Sequence, residues 1–229
     1  MRKKILFTIA PIFLIFTIFV SYLSIYGIKT DSFNYFINKK IKEYNSKLIL
    51  KIDKVYIKLN LSKKALNINT KNATLIAESE PIKISNIDIN LNLLKFIKKE
   101  NLIQNIKINS SNNQIKNITS FLNSIDYDLS SYIFGSQVKK GLLNFELDAK
   151  FDNLNQDVFS YTILGSVNDA EFNLLENENL KFINFNFQIK NKTSKISNLK
   201  FTFQGIDFLS KSLVRSDKLF LLAIERIIP

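Results

Sequence analysis

Residues 54–61 read Lys-Val-Tyr-Ile-Lys-Leu-Asn-Leu, with an aliphatic side chain at every second position. Successive side chains of a strand point to opposite faces, so this alternation specifies a strand with one apolar face and one wet face. Val55, Ile57 and Leu59 share the apolar face. The pattern returns at Leu66 and Ile68, and at Ile87, Ile89 and Leu91, with Asn or Asp between them. It returns again through Leu143, Phe145 and Leu147, and then through Ile183, Phe185, Phe187 and Ile189 against Asn184, Asn186 and Gln188. Phe201 and Phe203 alternate with Lys200, Thr202 and Gln204. The connections are too short for parallel crossovers, so the chain is expected to be mainly β, an elongated, curved antiparallel sheet of nine to eleven strands. The apolar parity switches at Ser85-Asn86, which predicts a bulge or tight turn there, because a one-residue slip exchanges the faces. Gly205 marks a second place for a bend or bulge.

The alternation does not reach the N-terminus. Arg2, Lys3 and Lys4 precede an uncharged run bounded by Ile5 and Ile28. As a helix that run reaches about 36 Å, against about 30 Å for a bilayer core. It is too long for a signal h-region, and no small-x-small site closes it, so an uncleaved transmembrane anchor is expected. Tyr22 and Tyr26 suit an interface, and the basic start predicts a cytoplasmic N-terminus. The remainder would then lie outside, in the periplasm of a two-membrane bacterium, with the anchor in the inner membrane. Four segments follow: stub and anchor over 1–28, a juxtamembrane amphipathic helix over 29–47, a β-segment with short helices over 48–135, and a second β-module over 136–229. The first helix is expected to be capped by Asp31 and to face inward through Phe33, Phe36, Ile37, Ile41 and Tyr44. Short helices are also expected at 93–101 and from Ile118, the latter continuing to about Phe134. Leu213, Leu219, Leu222, Ala223 and Ile227 have helical spacing, which predicts a helical tail.

The chain has neither Cys nor His. Disulfides, thiolate nucleophiles, the usual metal ligands and every Ser-His-Asp arrangement are thereby excluded. Two Ser-x-x-Lys matches, Ser136/Lys139 and Ser197/Lys200, are what chance supplies in a chain rich in both residues. Asp126 and Asp128 flank Tyr127 without an EF-hand loop around them. No phosphate loop or dinucleotide fingerprint is present. No enzyme, metal or cofactor is therefore expected. The net charge is +12, mostly from Lys. Spread along the chain without a nucleic-acid motif, it suits a solvated face or attraction to anionic head groups, and not nucleic acid.

One side of the sheet is consistently Ile, Leu, Val and Phe, and the whole chain has twenty Phe. Either the sheet covers that face with itself and a helix, giving a core, or the face stays open as a groove for acyl chains.

The order of these elements resembles the AsmA-like family, with its YhdP- and TamB-type members. The resemblance rests on the anchor behind Arg2-Lys3-Lys4, the helix at 33–41, Val55-Tyr56-Ile57-Lys58-Leu59, Leu66-Asn67-Ile68, the paired segments within 84–93, Leu93-Leu94-Lys95-Phe96-Ile97 and Ile103-x-x-Ile106-Lys107-Ile108. In the second half it rests on the segment 165–172, Ile196-Ser197-Asn198-Leu199 and Gly205-Ile206-Asp207-Phe208. It implies an inner-membrane protein with a periplasmic β-groove, having membrane phospholipids and other envelope proteins as partners. The implied role is inter-membrane lipid transport or envelope biogenesis. The alternative is a structural or assembly factor that carries no lipid. Members with the transport role are longer; ten strands at about 4.8 Å give only about 50 Å. That length leaves open a short relative, a piece of a longer protein, or one part of an assembly.

Overall fold

A computed structural model describes residues 2–77, 80–98, 102–125, 135–151, 158–175, 178–191, 193–216, 219–222 and 225–226. Asp126 and Asp128, and the expected helical stretch beyond Ile125, lie outside the described residues. The chain opens with helix α1 (Arg2–Ile25). Both Tyr26 and Gly27 donate their backbone N–H to the Tyr22 carbonyl, at 2.8 and 3.3 Å. Gly27 has φ +70°, the left-handed stop that glycine adopts without a Cβ penalty. The helix therefore ends before the apolar run does, and Ile28, expected as the anchor limit, belongs instead to strand β1 (Ile28–Thr30). Among the described residues no helix is long and apolar enough to cross a membrane. For α1 the side-chain surroundings are described only from Pro11 onward, a length of about 22 Å.

Helix α2 (Asn34–Tyr44) follows. Its N-cap is Phe33, without a side-chain cap bond. Asp31, expected in that role, instead accepts the Asn34 N–H through its backbone carbonyl, closing a turn at 2.9 Å. Then come β2 (Leu48–Lys51), β3 (Val55–Asn60), β4 (Ala65–Ala77), β5 (Glu80–Asn92), α3 (Leu93–Lys98), β6 (Ile103–Ser110), β7 (Asn113–Gln114) and α4 (Ile115–Ile125). The second half is β8 (Val138–Phe151), β9 (Val158–Leu175), β10 (Glu178–Lys190), β11 (Thr193–Phe203), β12 (Ile206–Ser216), β13 (Leu219–Leu222) and β14 (Glu225–Arg226).

All fourteen strands join one open antiparallel sheet. Its main path runs β1-β3-β4-β5-β6-β8-β9-β10-β11-β12-β13. Ten inter-strand steps of about 4.8 Å make it about 48 Å wide. The fold class is mainly β with few short helices, as the alternation requires. The expected helical tail is wrong: residues 206–216, 219–222 and 225–226 are strands. Gln204 and Gly205 have φ +49° and +77°, and Phe203 pairs with Ile206 across them. That is the two-residue hairpin turn whose twist matches the sheet. It returns the chain along the free edge of β11, so pairing overrides the helical spacing of Leu213, Leu219 and Leu222. Gly205 thus makes a turn, not a bend within a strand.

Two lines of irregularity keep the apolar side chains on one face. In β4 the inward parity passes from Leu66, Ile68 and Thr70 to Ala73, Leu75 and Ala77 across Asn72, which has φ +54°. In β5 it changes between Ile84 and Ile87, and the pairing of β5 with β6 shifts at the same place. The expected break at Ser85-Asn86 is therefore present, and its neighbour strand shares it. The second line crosses β8 to β11 at Gly141, Asp169, Phe182 and Asn198, all at positive φ. Asn184 joins two of these strands: its Oδ1 accepts from the Asp169 N–H at 3.0 Å and its Nδ2 donates to the Phe182 carbonyl at 2.8 Å. Bulges of this kind bend a strand and increase its local twist.

Buried side chains form two clusters on the apolar face. The first joins Leu48, Leu50, Ala73, Ala77, Ile82, Ile84 and Ile87 to Phe121 of α4, with Ile37 and Ile41 of α2 packed against it. The second joins Ile115, Val138, Val167, Ala170 and Ile183, with Phe185, Phe187, Leu199 and Phe201 alongside.

Candidate functional site

Cross-strand partners lie on the same face, so the register converts the alternating strands into continuous rows. One row runs Ile28–Ile57–Ile68–Ile89–Ile106–Ala149 across six strands. A second runs Leu59–Leu66–Leu91–Ile103 over four. A third runs Val55–Thr70–Ile87–Ile108–Leu147–Ile163–Ile189 over seven. In the second half a further row begins Phe145–Gly165–Phe187–Ile196–Leu213.

Helical cover is uneven across these rows. Helices α2 and α4 pack over the end that holds Ile82, Ile84 and Ile87. Among the sequence-predicted residues, Val55, Leu59 and Ile87 are buried. Ile57, Leu66, Ile68, Ile89, Leu91, Phe145, Phe185, Phe187, Ile189, Phe201 and Phe203 are half-buried. The structure thus brings Ile57, Ile68 and Ile89 into one row and Leu59, Leu66 and Leu91 into the next, while Phe185, Phe187 and Phe201 join the second cluster.

Phe187 shows how the aromatic part is built. A Cβ placed on Gly165 would lie 2.3 Å from its ring and 2.5 Å from the Asn144 carbonyl. The ring lies directly over a glycine that pairs with Phe187 in register. Phe185 and Phe187 are 6.3 Å apart between centroids, and Phe201 stacks on Phe208 at 5.0 Å.

The opposite face carries amides. Asn67, Asn90 and Asn105 are successive partners, as are Asn69 and Asp88. Asn90 donates to Asn105 at 2.5 Å, and Asn69 donates to Asn86 at 2.7 Å and to Asp88 at 2.5 Å. Asn86 also donates to the second Asp88 oxygen. Beside these rows, where the chain leaves α1, lies a cleft of about 850 Å³. Sequence reasoning missed it. Its signal was the run of Lys and Asn on the wet parity of 54–71, which alternation assigns only to solvent.

The nucleophile patterns gain nothing from the fold. Ser197 and Lys200 lie on β11 with no hydrogen bond between them, and Lys139 pairs with Glu171 at 3.8 Å. Among the described residues no three His, Cys, Asp or Glu side chains converge on a metal position. No family model, curated protein or solved structure matches the chain.

Proposed function

We propose that this is a membrane-anchored, AsmA-like protein that holds phospholipid acyl chains on the apolar face of its sheet, for inter-membrane lipid transport or envelope biogenesis. The observation that carries the reading is the row Ile57–Ile68–Ile89–Ile106, continuous in register and only half-buried, which borders the cluster under α2 and α4 at Ile89. A wide apolar strip with so little cover suits a ligand of extended hydrocarbon. The two bulge lines curve the strip into a groove in this reading.

The location rests on the uncharged run bounded by Ile5 and Ile28. It is supported by Ile12, Phe13, Leu14, Ile15 and Phe16, five consecutive apolar residues that are each at least 60% exposed. A helix this apolar and exposed through its middle suits lipid, while toward its C-terminal end α1 meets β3. In this reading the anchor lies in a bacterial inner membrane with the sheet in the periplasm.

The test is lipid extraction and mass spectrometry of detergent-purified protein, with photo-crosslinking probes at Ile57, Ile89 and Phe187. Lipid adducts at Ile57 and Ile89 are expected. Lipid-free protein whose probes give only protein adducts would establish the assembly-factor alternative and sink this one.

A further inference from the structure

We infer that the cleft on the amide face, at the exit of α1, is a binding site for a phosphate-bearing anion. Four lysines line it: Lys29, Lys54, Lys58 and Lys71. None of the four forms an ion pair among the described residues, although Lys107, Lys139 and Lys140 elsewhere on the sheet each have a carboxylate partner. Two carboxylates, Asp53 and Asp88, also line the cleft. Asp88 is engaged by the amides of Asn69 and Asn86 and pairs with none of the four ammonium groups among the described residues, so it offsets their charge only in part. The lining carries four positive and two negative charges, a surplus of two, around a space large enough for a phosphorylated head group.

The cleft is held firmly in relation to α1. Tyr56 donates its hydroxyl to the Tyr26 carbonyl at 2.6 Å. Gly27 sits so close beneath that ring that an added Cβ would meet it at 2.7 Å. Lys29 pairs with Tyr56, and Tyr56 with Asn69, so the lysine of β1 and the amide rows form one surface. Ammonium groups near a membrane each attract anionic lipid by about five-fold in affinity. Phosphate chemistry here rests on the cleft alone. The lipid source of that phosphate rests on the proposed anchor, which would place residues 26–29 at head-group depth.

The test uses detergent-solubilised full chain and calorimetric titration with inorganic phosphate, with short-chain phosphatidylglycerol, and with phosphatidylcholine of the same chain length. Lys58→Gln/Lys71→Gln is expected to weaken phosphatidylglycerol binding about twenty-five-fold, five-fold for each lysine. Lys195→Gln/Lys200→Gln removes equal charge from exposed positions on β11 and is expected to leave binding unchanged. If the first pair fails to fold, Lys54→Gln/Lys71→Gln, both exposed, replaces it. A response confined to inorganic phosphate supports the site and assigns it a soluble anion. Equal responses of the cleft pair and the β11 pair overturn the proposal. Retained phosphate binding in protein that carries no acyl chains counts against the groove and not against the cleft.

Discussion

Gly165→Ala probes the tightest place on the apolar face. The new methyl would meet the Phe187 ring at 2.3 Å and the Asn144 carbonyl oxygen at 2.5 Å. The ring can turn aside at the cost of its packing. The carbonyl is backbone of the adjacent strand β8, and restoring ordinary contact at 3.4 Å requires about 0.9 Å of separation from β9. Hydrogen bonds of about 2.9 Å would be stretched to nearly 3.8 Å, beyond useful length. Overpacking costs about 1–3 kcal/mol, and two weakened ladder bonds add about 1 kcal/mol each. The expected loss is about 3–5 kcal/mol, or a fall of about 6–20 °C in Tm at about 2–4 °C per kcal/mol. Thermal unfolding in detergent, followed by far-UV circular dichroism, reads it. Gly165→Ala/Phe187→Ala should not recover Tm, because the carbonyl clash remains and a large side chain has been lost. A Gly165→Ala Tm within a degree of the parent would refute the reasoning, since neither strand would then be fixed where the contacts place it.

Further outcomes follow from the same face and its edges. Asn113 is buried; its Oδ1 accepts from the Lys83 N–H at 2.7 Å and its Nδ2 donates to the Lys83 carbonyl at 3.0 Å, so it completes β5 as a strand would. Asn113→Ala should cost about 1–3 kcal/mol by leaving the Lys83 N–H unpaired, while the Lys83 carbonyl keeps the Ser111 N–H at 3.0 Å. Asn113→Asp should rescue little of it, because a carboxylate oxygen would face the Lys83 and Ser111 carbonyls; urea denaturation checks both. Ile87→Ala, in the cluster under Phe121, should cost about 2–5 kcal/mol, while Ile106→Ala in the half-buried row should cost about half as much; equal losses in denaturant midpoint would mean equal cover. Gly205→Ala has open space around the new methyl but a φ of +77°, so about 1–2 kcal/mol of backbone strain is expected, with Gly205→Asn milder in the same melting assay.

The sheet was legible because period two is a direct imprint of strand geometry. Val55–Leu59 and Ile183–Ile189 gave both the element and the face. The helix ends and the tail were less so. Asp31 has the chemistry of a cap, but the chain enters α2 through Phe33, and no sequence signal distinguishes these two starts. The helical spacing of 213–227 is compatible with period two wherever an unpaired edge is waiting, and the Gln204-Gly205 turn supplies that edge. The apolar site residues were legible as a face but not as rows, because register depends on partners up to dozens of residues away. The lysine cleft was not legible at all: it arises from β1 returning to β3, a pairing that three residues cannot announce.

The bulge lines explain why alternation alone describes only part of each strand they cross. In β4 the rule holds to Thr70 and resumes, inverted, at Ala73; in β10 it inverts between Leu180 and Ile183. An isolated inversion would turn the apolar residues of one strand segment out to water. Here inversions recur on adjacent strands, and left-handed residues absorb them. Asn or Asp occupies four of the seven non-glycine positions at positive φ among the described residues, as expected of side chains that tolerate that region. Phe182 has no such tolerance, yet its carbonyl is held by Asn184, which also holds the Asp169 N–H on the neighbouring strand. The constraint is thus cooperative across strands. A sequence that inverts parity at matched positions on neighbouring strands encodes a bent sheet with one unbroken apolar face, and that face is the surface on which the proposed lipid must lie.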